Sequence, residues 1–130
     1  MDDVSVPFTV NNPPTGGVGY DAGIRAGGAA TQATSKSTAV TLDRVTGQVT
    51  MNAASLAAGA KVSFTVNNAA IRANDVVLAV HKSGGTAAAY DVQARFPAAG
   101  SFAVDVTNMT AGALAEAVVI GFIVLRGAIT

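Results

Sequence analysis

The chain has little of what most catalytic and metal sites are made from. Its 130 residues include no cysteine, no tryptophan and a single histidine. Without cysteine there are no disulfides and no thiolate metal sites. His81, the one histidine, follows Val80 at the end of an apolar run, and no neighbour in the sequence supplies the nucleophile or carboxylate that a catalytic role needs. We therefore interpret His81 as a structural or interface residue.

Charge is equally scarce. Charged residues make up 12% of the chain, and the eight basic residues balance the eight acidic ones, where about 25% is usual. No window concentrates either sign, so a basic patch for nucleic acid is disfavoured. The N-terminal residues lack the features of a signal peptide, and the longest apolar run, 117–125, is far shorter than the ~20 residues of a membrane helix. We expect synthesis in the cytoplasm and neither a nucleic-acid nor a membrane partner.

The acidic residues offer weak candidates for chemistry. Asp91, Asp105 and Glu116 are the only acids in the later part of the chain, and a glycosidase needs two carboxylates that face each other across a sugar. We interpret Asp91 and Asp105 as part of an ordinary polar face with Gln93 and Arg95. No segment has the spacing of a calcium loop or a phosphate loop. The sequence therefore predicts no catalytic residue, no metal and no cofactor.

What the chain does have is alternation of apolar and polar residues. Hydrophobic residues make up 50% of it, 27 of them alanine, while aromatics are only 5%, which favours a thin, closely spaced core. The period of two predicts strands. We predict an all-β fold, an antiparallel β-sandwich of about eight short strands in a jelly-roll-like or Greek-key arrangement, with a closed barrel as the alternative. The sets that share a face are Val40 and Leu42; Val45, Val49 and Met51; Val62, Phe64 and Val66; Tyr90, Val92, Ala94 and Phe96; and Phe102, Val104 and Val106.

The same parity predicts registers. Phe96 should pair with Phe102, Ala94 with Val104 and Val92 with Val106. Gly84 and Gly85 should close a hairpin in which Leu78 faces Tyr90. The predicted meander consists of strands 75–82, 87–96 and 101–108. Residues 53–58, rich in alanine, could form one turn of helix before Gly59 stops it.

Two runs are apolar on both faces, 76–80 and 117–125. Each should be a central strand or lie at a subunit interface. In the second run one face should fill the sandwich and the other should meet a neighbouring subunit. The core face consists of Val118, Ile120, Phe122 and Val124, and the interface face consists of Val119, Ile123 and Leu125.

Residues 1–28 differ from the domain that we assign to 29–130. They contain Pro13, Pro14 and six of the fourteen glycines, which indicates an extended arm. Residues 6–12 also match residues 62–68 at six of seven positions. The arm is either a docked anchor or a disordered leader. Its candidate anchoring residues are Val4, Val6, Phe8, Val10, Tyr20 and Ile24.

Several ordered blocks of the sequence resemble a known family. They are 31–38, 40–42, 47–52, 53–59, 83–86 and 116–119, made mostly of small, hydroxylated or β-branched residues. Together they resemble the β-domain that recurs in tailed-phage virion proteins, and the resemblance covers residues 29–126. It implies a viral structural protein that is a homotrimer and lies in the virion.

Two functions are compatible with that resemblance. The first is a capsid decoration, cement or head-fibre protein that binds the major capsid protein at the capsid surface, with residues 1–28 as its anchor. The second is a tail-fibre or adhesin tip that binds a host receptor or glycan. The short chain favours the first, because a tail fibre usually carries a long shaft. An enzyme such as a depolymerase is the least favoured interpretation.

Overall fold

The structure is a computed structural model that describes residues 27–127, and within them it is all-β. No helix in this range is long and apolar enough to cross a membrane. The candidate arm residues between Val4 and Ile24 lie outside the described part of the chain. The strands are β1 (Gly28–Thr31), β2 (Val40–Thr41), β3 (Thr46–Thr50), β4 (Lys61–Asn67), β5 (Val76–Ser83), β6 (Tyr90–Ala98), β7 (Ser101–Asn108) and β8 (Val119–Leu125).

The strands form two four-stranded sheets that pack as a sandwich. Sheet A has the order β1-β3-β8-β5 and sheet B the order β2-β4-β7-β6. The predicted sandwich is thus confirmed, but the sheets are mixed, because β1 pairs parallel with β3 and β2 parallel with β4. Between β1 and β6 the chain crosses from one sheet to the other at every connection. Each parallel pair therefore consists of strands that are not consecutive in the sequence.

The core lies between the two inner faces, as the alternation predicts. Val104 and Val106 of β7 pack there, and Phe102 meets Phe122 of β8 with ring centroids 5.2 Å apart. All four residues predicted for the core face of β8 are buried, from Val118 to Val124. Burial of a side chain of this size contributes about 1.5–3 kcal/mol. The period of two thus identified the inward faces correctly.

The predicted hairpin between β5 and β6 is wrong. β5 pairs with β8, which places Leu78 opposite Ile123, while Tyr90 lies opposite Asn108 of β7. The connection begins at Gly84 and Gly85, both with φ of +72°, and it carries the chain across to sheet B. β5 is consequently an edge strand of sheet A, not a central one. Between these two runs, only 117–125 supplies a central strand, β8.

The predicted β6–β7 hairpin is right for most of its length. Val92 pairs with Val106 and Ala94 with Val104, but the register shifts after Arg95, and Ala98 pairs with Ser101. The shift is a β-bulge, and a bulge turns the following side chain to the other face. Phe96 therefore points outward with 74% of its surface exposed, and the predicted pairing of Phe96 with Phe102 is wrong.

Residues 53–58 form no helix. Leu56 is extended and bridges Leu114 through two backbone hydrogen bonds, of 2.8 and 3.0 Å. The side chain of Asn108 also donates to the carbonyl of Leu56 at 2.9 Å. These partners satisfy the backbone of the segment better than one isolated helical turn could.

Candidate functional site

The most unusual surface of the domain is the outer face of sheet A. On β5 the side chains of Val76, Leu78 and Val80 all point outward, with 51%, 54% and 59% of their surfaces exposed. They are large aliphatic groups in a row along an edge strand. Single exposed apolar residues are ordinary, but a contiguous row on one strand is typical of an interaction surface.

Strand β8 continues this apolar surface inward from the edge. Leu125 lies opposite Val76, Ile123 opposite Leu78 and Gly121 opposite Val80. Val119, Ile123 and Leu125 are half-buried, so they lie on the outer face, as the sequence predicts. We define the outer face of sheet A by its apolar residues, Val76, Leu78, Val80, Val119, Ile123 and Leu125.

A shallow groove crosses this face at Gly121. The groove holds about 400 Å³, and Leu78, Val80 and Ile123 contribute to its lining. The stem of Lys82 lies over Gly121, where an added Cβ would be 3.2 Å from its Cδ. The ammonium of Lys82 donates to Oε1 of Gln48 on β3 at 2.7 Å. The apolar patch is therefore bounded on one side by a positive charge.

The bulge on β6 presents a second exposed feature. Phe96 has φ of +53°, which is unfavourable for any residue other than glycine. The guanidinium of Arg95 lies 4.9 Å from the centroid of its ring. Arg95 also forms an ion pair with Asp105, which accepts a hydrogen bond from Ser63. Phenylalanine and arginine are both enriched at protein interfaces relative to the rest of the surface.

The carboxylate of Asp105 is held in its charged form. Its hydrogen bond with Arg95, together with the one from Ser63, keeps its pKa below the usual range despite partial burial. Asp91 lies on the same polar face, diagonally across the β6–β7 ladder. A general acid in a glycosidase needs the opposite, a raised pKa. Asp105 is suited to an ion pair.

The blocks that carry the family resemblance meet at one end of the sandwich. Lys36 is buried, and its ammonium donates to the backbone carbonyls of Asn52 and Glu116. The side chain of Gln32 donates to the carbonyls of Lys36 and Thr38 and accepts from the amide of Asn52. Desolvation lowers the pKa of Lys36. These contacts fasten the connection between β1 and β2 to the loop before β8.

The side chain of Glu116 closes the same end. It accepts hydrogen bonds from the amide and hydroxyl of Thr86, at 2.9 and 2.7 Å, and from the hydroxyl of Tyr90 at 2.7 Å. These donors hold its pKa below the usual range, while burial and Glu116 raise the pKa of Tyr90. His81 packs edge-on against Tyr90, with centroids 5.5 Å apart, and bonds the carbonyl of Gly84 at 2.6 Å. We use the name polar clamp for the set that consists of Gln32, Lys36, His81, Thr86, Tyr90 and Glu116.

The polar clamp connects loops of the domain to one another, and its polar groups form hydrogen bonds within the clamp. No group of three metal-ligating side chains is found within residues 27–127. Comparison of the chain with family models, with curated proteins and with solved structures found no match in any of the three. The surfaces themselves are therefore the basis for a functional proposal.

The sequence predicted this surface only in part. It placed Val119, Ile123 and Leu125 on a common face, and it left the run 76–80 as either a central strand or an interface segment. That run is apolar at successive positions, so alternation alone could not show that Val76, Leu78 and Val80 point outward. Phe96 was missed because the parity of β6 assigned it to the core. The sequence signal for the bulge was Pro97, since a proline inside a strand is confined to an edge or a bulge.

Proposed function

We propose that this chain is a structural protein of a phage virion, a capsid decoration, cement or head-fibre protein that binds and stabilises the shell. The observation that carries the proposal is the outer face of sheet A. Val76, Leu78 and Val80 are each more than half exposed on an edge strand, which is a liability for a protein that works alone. In an assembly the same residues would be buried against a neighbour.

The composition supports the same proposal. With charged residues at 12% of the chain, few groups are present to keep this face solvated. A specific interface buries about 1,600 Å² in total, and repetition over a lattice multiplies the effect of each contact. The shell would thus be stabilised by buried surface area. One partner of the chain would be a second copy of the chain, in a homotrimer, and another would be the major capsid protein.

A second candidate function rests on the bulge of β6. Phe96 is 74% exposed and lies beside Arg95, so it could be the contact residue of a tail-fibre or adhesin tip that binds a host receptor or glycan. Its strained backbone is a feature often kept for a functional reason. The first function is preferred because the outer face of sheet A is larger and more apolar than this single side chain.

Copy number in purified virions tests both functions. Quantitative mass spectrometry should find hundreds of copies of the chain per particle if it decorates the shell. A number close to the symmetry of a tail would instead support the adhesin function. Absence of the chain from purified particles would refute both, because each makes it a virion component.

A further inference from the structure

The outer face of sheet A ends at β5, whose second edge forms no ladder with another described strand. Among residues 27–127, β5 forms its ladder with β8 alone. The unused side of such a strand presents amide and carbonyl groups that can pair with another extended segment. With eight residues, Val76–Ser83, β5 is long enough to accept a full strand. A candidate occupant for this edge is found in the N-terminal arm of the same chain.

The N-terminal arm contains a segment whose sequence nearly repeats one in the domain. Residues 6–12 repeat residues 62–68 at six of seven positions. In the domain the later copy forms β4, with Phe64 and Val66 buried on one face and Thr65 exposed on the other. The same sequence in the arm therefore favours a strand that presents Val6, Phe8 and Val10 on one side. Pro7 confines such a strand to an edge or a bulge, and an addition to β5 creates a new edge.

We infer that residues 4–10 of one subunit add as an antiparallel strand to β5 of a second copy. This inference rests on the proposed function, because it names the partner of the same surface. Antiparallel pairing is slightly more stable per residue than parallel pairing. With Phe8 opposite Leu78, the antiparallel register places Val4 opposite Lys82, and Asp2 is the diagonal neighbour of Lys82 on the same face.

The chemistry of the added strand matches the face that it extends. Val10, Phe8 and Val6 lie opposite Val76, Leu78 and Val80, the three exposed residues of β5. All six side chains are on the same side of the sheet, because directly paired residues share a face. Phe8 would extend over Leu78 towards Ile123, and the groove beside them would be covered.

The connecting segment is long enough to reach another subunit. Residues 11–26 number sixteen and include Pro13, Pro14 and four glycines. Fully extended they span roughly 55 Å, and a flexible chain of this length has a root-mean-square span of about 22 Å. A domain of this size is about 33 Å across. Head-to-tail donation of this kind closes into a ring when the rotation between subunits allows it.

Cross-linking tests the pairing, since the chain has no cysteine. Full-length Ser5→Cys and Ser83→Cys variants are mixed and treated with a short bismaleimide. In the antiparallel register these positions are diagonal neighbours, about 7–8 Å apart, so a product of twice the chain mass is expected. The control partner is Thr65→Cys, on the exposed face of β4, which should give no such product. A parallel strand with Phe8 opposite Leu78 would place Ser5 opposite Asp75, eight residues from Ser83, and so separate the two cysteines by about 26 Å.

The same reagents distinguish the donor of the strand. The double variant Ser5→Cys/Ser83→Cys, treated at high dilution, forms an internal link only if each arm pairs with its own β5. That product, with no cross-link in the mixture, would overturn the inference. It would leave the proposed function standing, because the copy number of the chain in virions does not depend on where the arm binds.

Association in solution gives an independent measure. Phe8→Asp should weaken self-association by about 30-fold or more in sedimentation equilibrium, as expected for an interface anchor. Thr9→Asp adds the same charge on the opposite face and should stay near wild type. Neither should alter the melting temperature of the domain. Equal effects of the two variants, or a wild-type chain that stays monomeric at about 100 μM, would contradict strand addition.

Discussion

Glu116 is the residue on which the polar clamp depends most. Its carboxylate joins the loop before β8 to Thr86 and Tyr90, while its backbone carbonyl accepts from the buried ammonium of Lys36. The four groups come from three distant parts of the chain. Because all the donors favour the ionised carboxylate, the clamp should respond to acid.

Glu116→Gln should make thermal stability less sensitive to pH. The folded-state pKa of Glu116 lies below its ordinary value of 4.5, so its contribution is complete above about pH 4.5 and is lost as the pH falls through the folded-state value. Wild type should therefore exceed Glu116→Gln in melting temperature at pH 7, and the gap should close towards pH 3. Thr86→Val, which removes one donor, should lie between them. Melting curves that stay parallel over this range would contradict a role for the carboxylate.

Single side chains of this kind were the least predictable part of the molecule. Lys36 lies in a run of small hydroxylated residues that is typical of an exposed strand or loop, yet it is 4% exposed. Its acceptors at Asn52 and Glu116 are 16 and 80 residues away in the sequence. Burial of a cation depends on such distant partners, which local pattern does not contain.

At the level of elements, left-handed glycines decide how the strands connect. Gly84 and Gly59 have almost the same φ, +72° and +70°, but different surroundings. A Cβ on Gly84 would be 2.6 Å from the carbonyl oxygen of Ala117, whereas one on Gly59 would meet nothing within 4 Å. Alanine substitutions at these two glycines therefore separate the free-energy cost of a left-handed backbone from the cost of a steric collision of the added Cβ.

Gly59→Ala should lower the free energy of unfolding by about 1–2 kcal/mol, the cost of a left-handed alanine. Gly84→Ala carries the same cost and adds a collision with a backbone atom, so it should lose about 3 kcal/mol or more. Urea denaturation of both variants measures the difference. Equal losses would mean that the loop from β5 to β6 can move away from Ala117.

The β6–β7 hairpin shows where element-level prediction succeeds and stops. Alternation identified the inward residues of β7, those of β6 as far as Ala94, and the register from Val92 to Ala94. It did not show the bulge after Arg95, because alternation does not register an inserted residue; the marker in the sequence was Pro97, within the shifted stretch. Nor could alternation assign β5 to sheet A, because pairing with β6 and pairing with β8 would both keep its apolar residues on a matching face.

The bulge predicts a large contrast between two phenylalanines. Phe102→Ala should cost about 3–5 kcal/mol, because its ring is 1% exposed in the core and its removal leaves a cavity. Phe96→Ala should change stability by no more than about 0.5 kcal/mol, as for other surface substitutions. Chemical denaturation of the two variants gives both values. Similar losses of stability in the two variants would contradict the bulge and support the predicted pairing of Phe96 with Phe102.

For the whole molecule, the two faces of sheet A differ: the inner face lies in the core, and the outer face is the surface that we propose for association. The inner face of β8 is almost completely buried, while Val76, Leu78 and Val80 on β5 contribute to the surface. The all-β sandwich followed from alternation alone, but the order of strands in each sheet did not, because crossings between sheets depend on contacts across the whole chain. The identity of the exposed edge therefore became visible only in the structure.

The separation of the two faces predicts that association can be removed without loss of the fold. Leu78→Ser/Val80→Ser should leave the melting temperature within a few degrees of wild type, since both side chains are already more than half exposed. It should abolish concentration-dependent association in sedimentation velocity, because two of the apolar contacts on the edge strand are lost. Thr65→Ser/Thr107→Ser, on sheet B, is the matched control and should associate as wild type does. If the β5 variant unfolds at a much lower temperature while its association is retained, these residues support the domain and not its assembly.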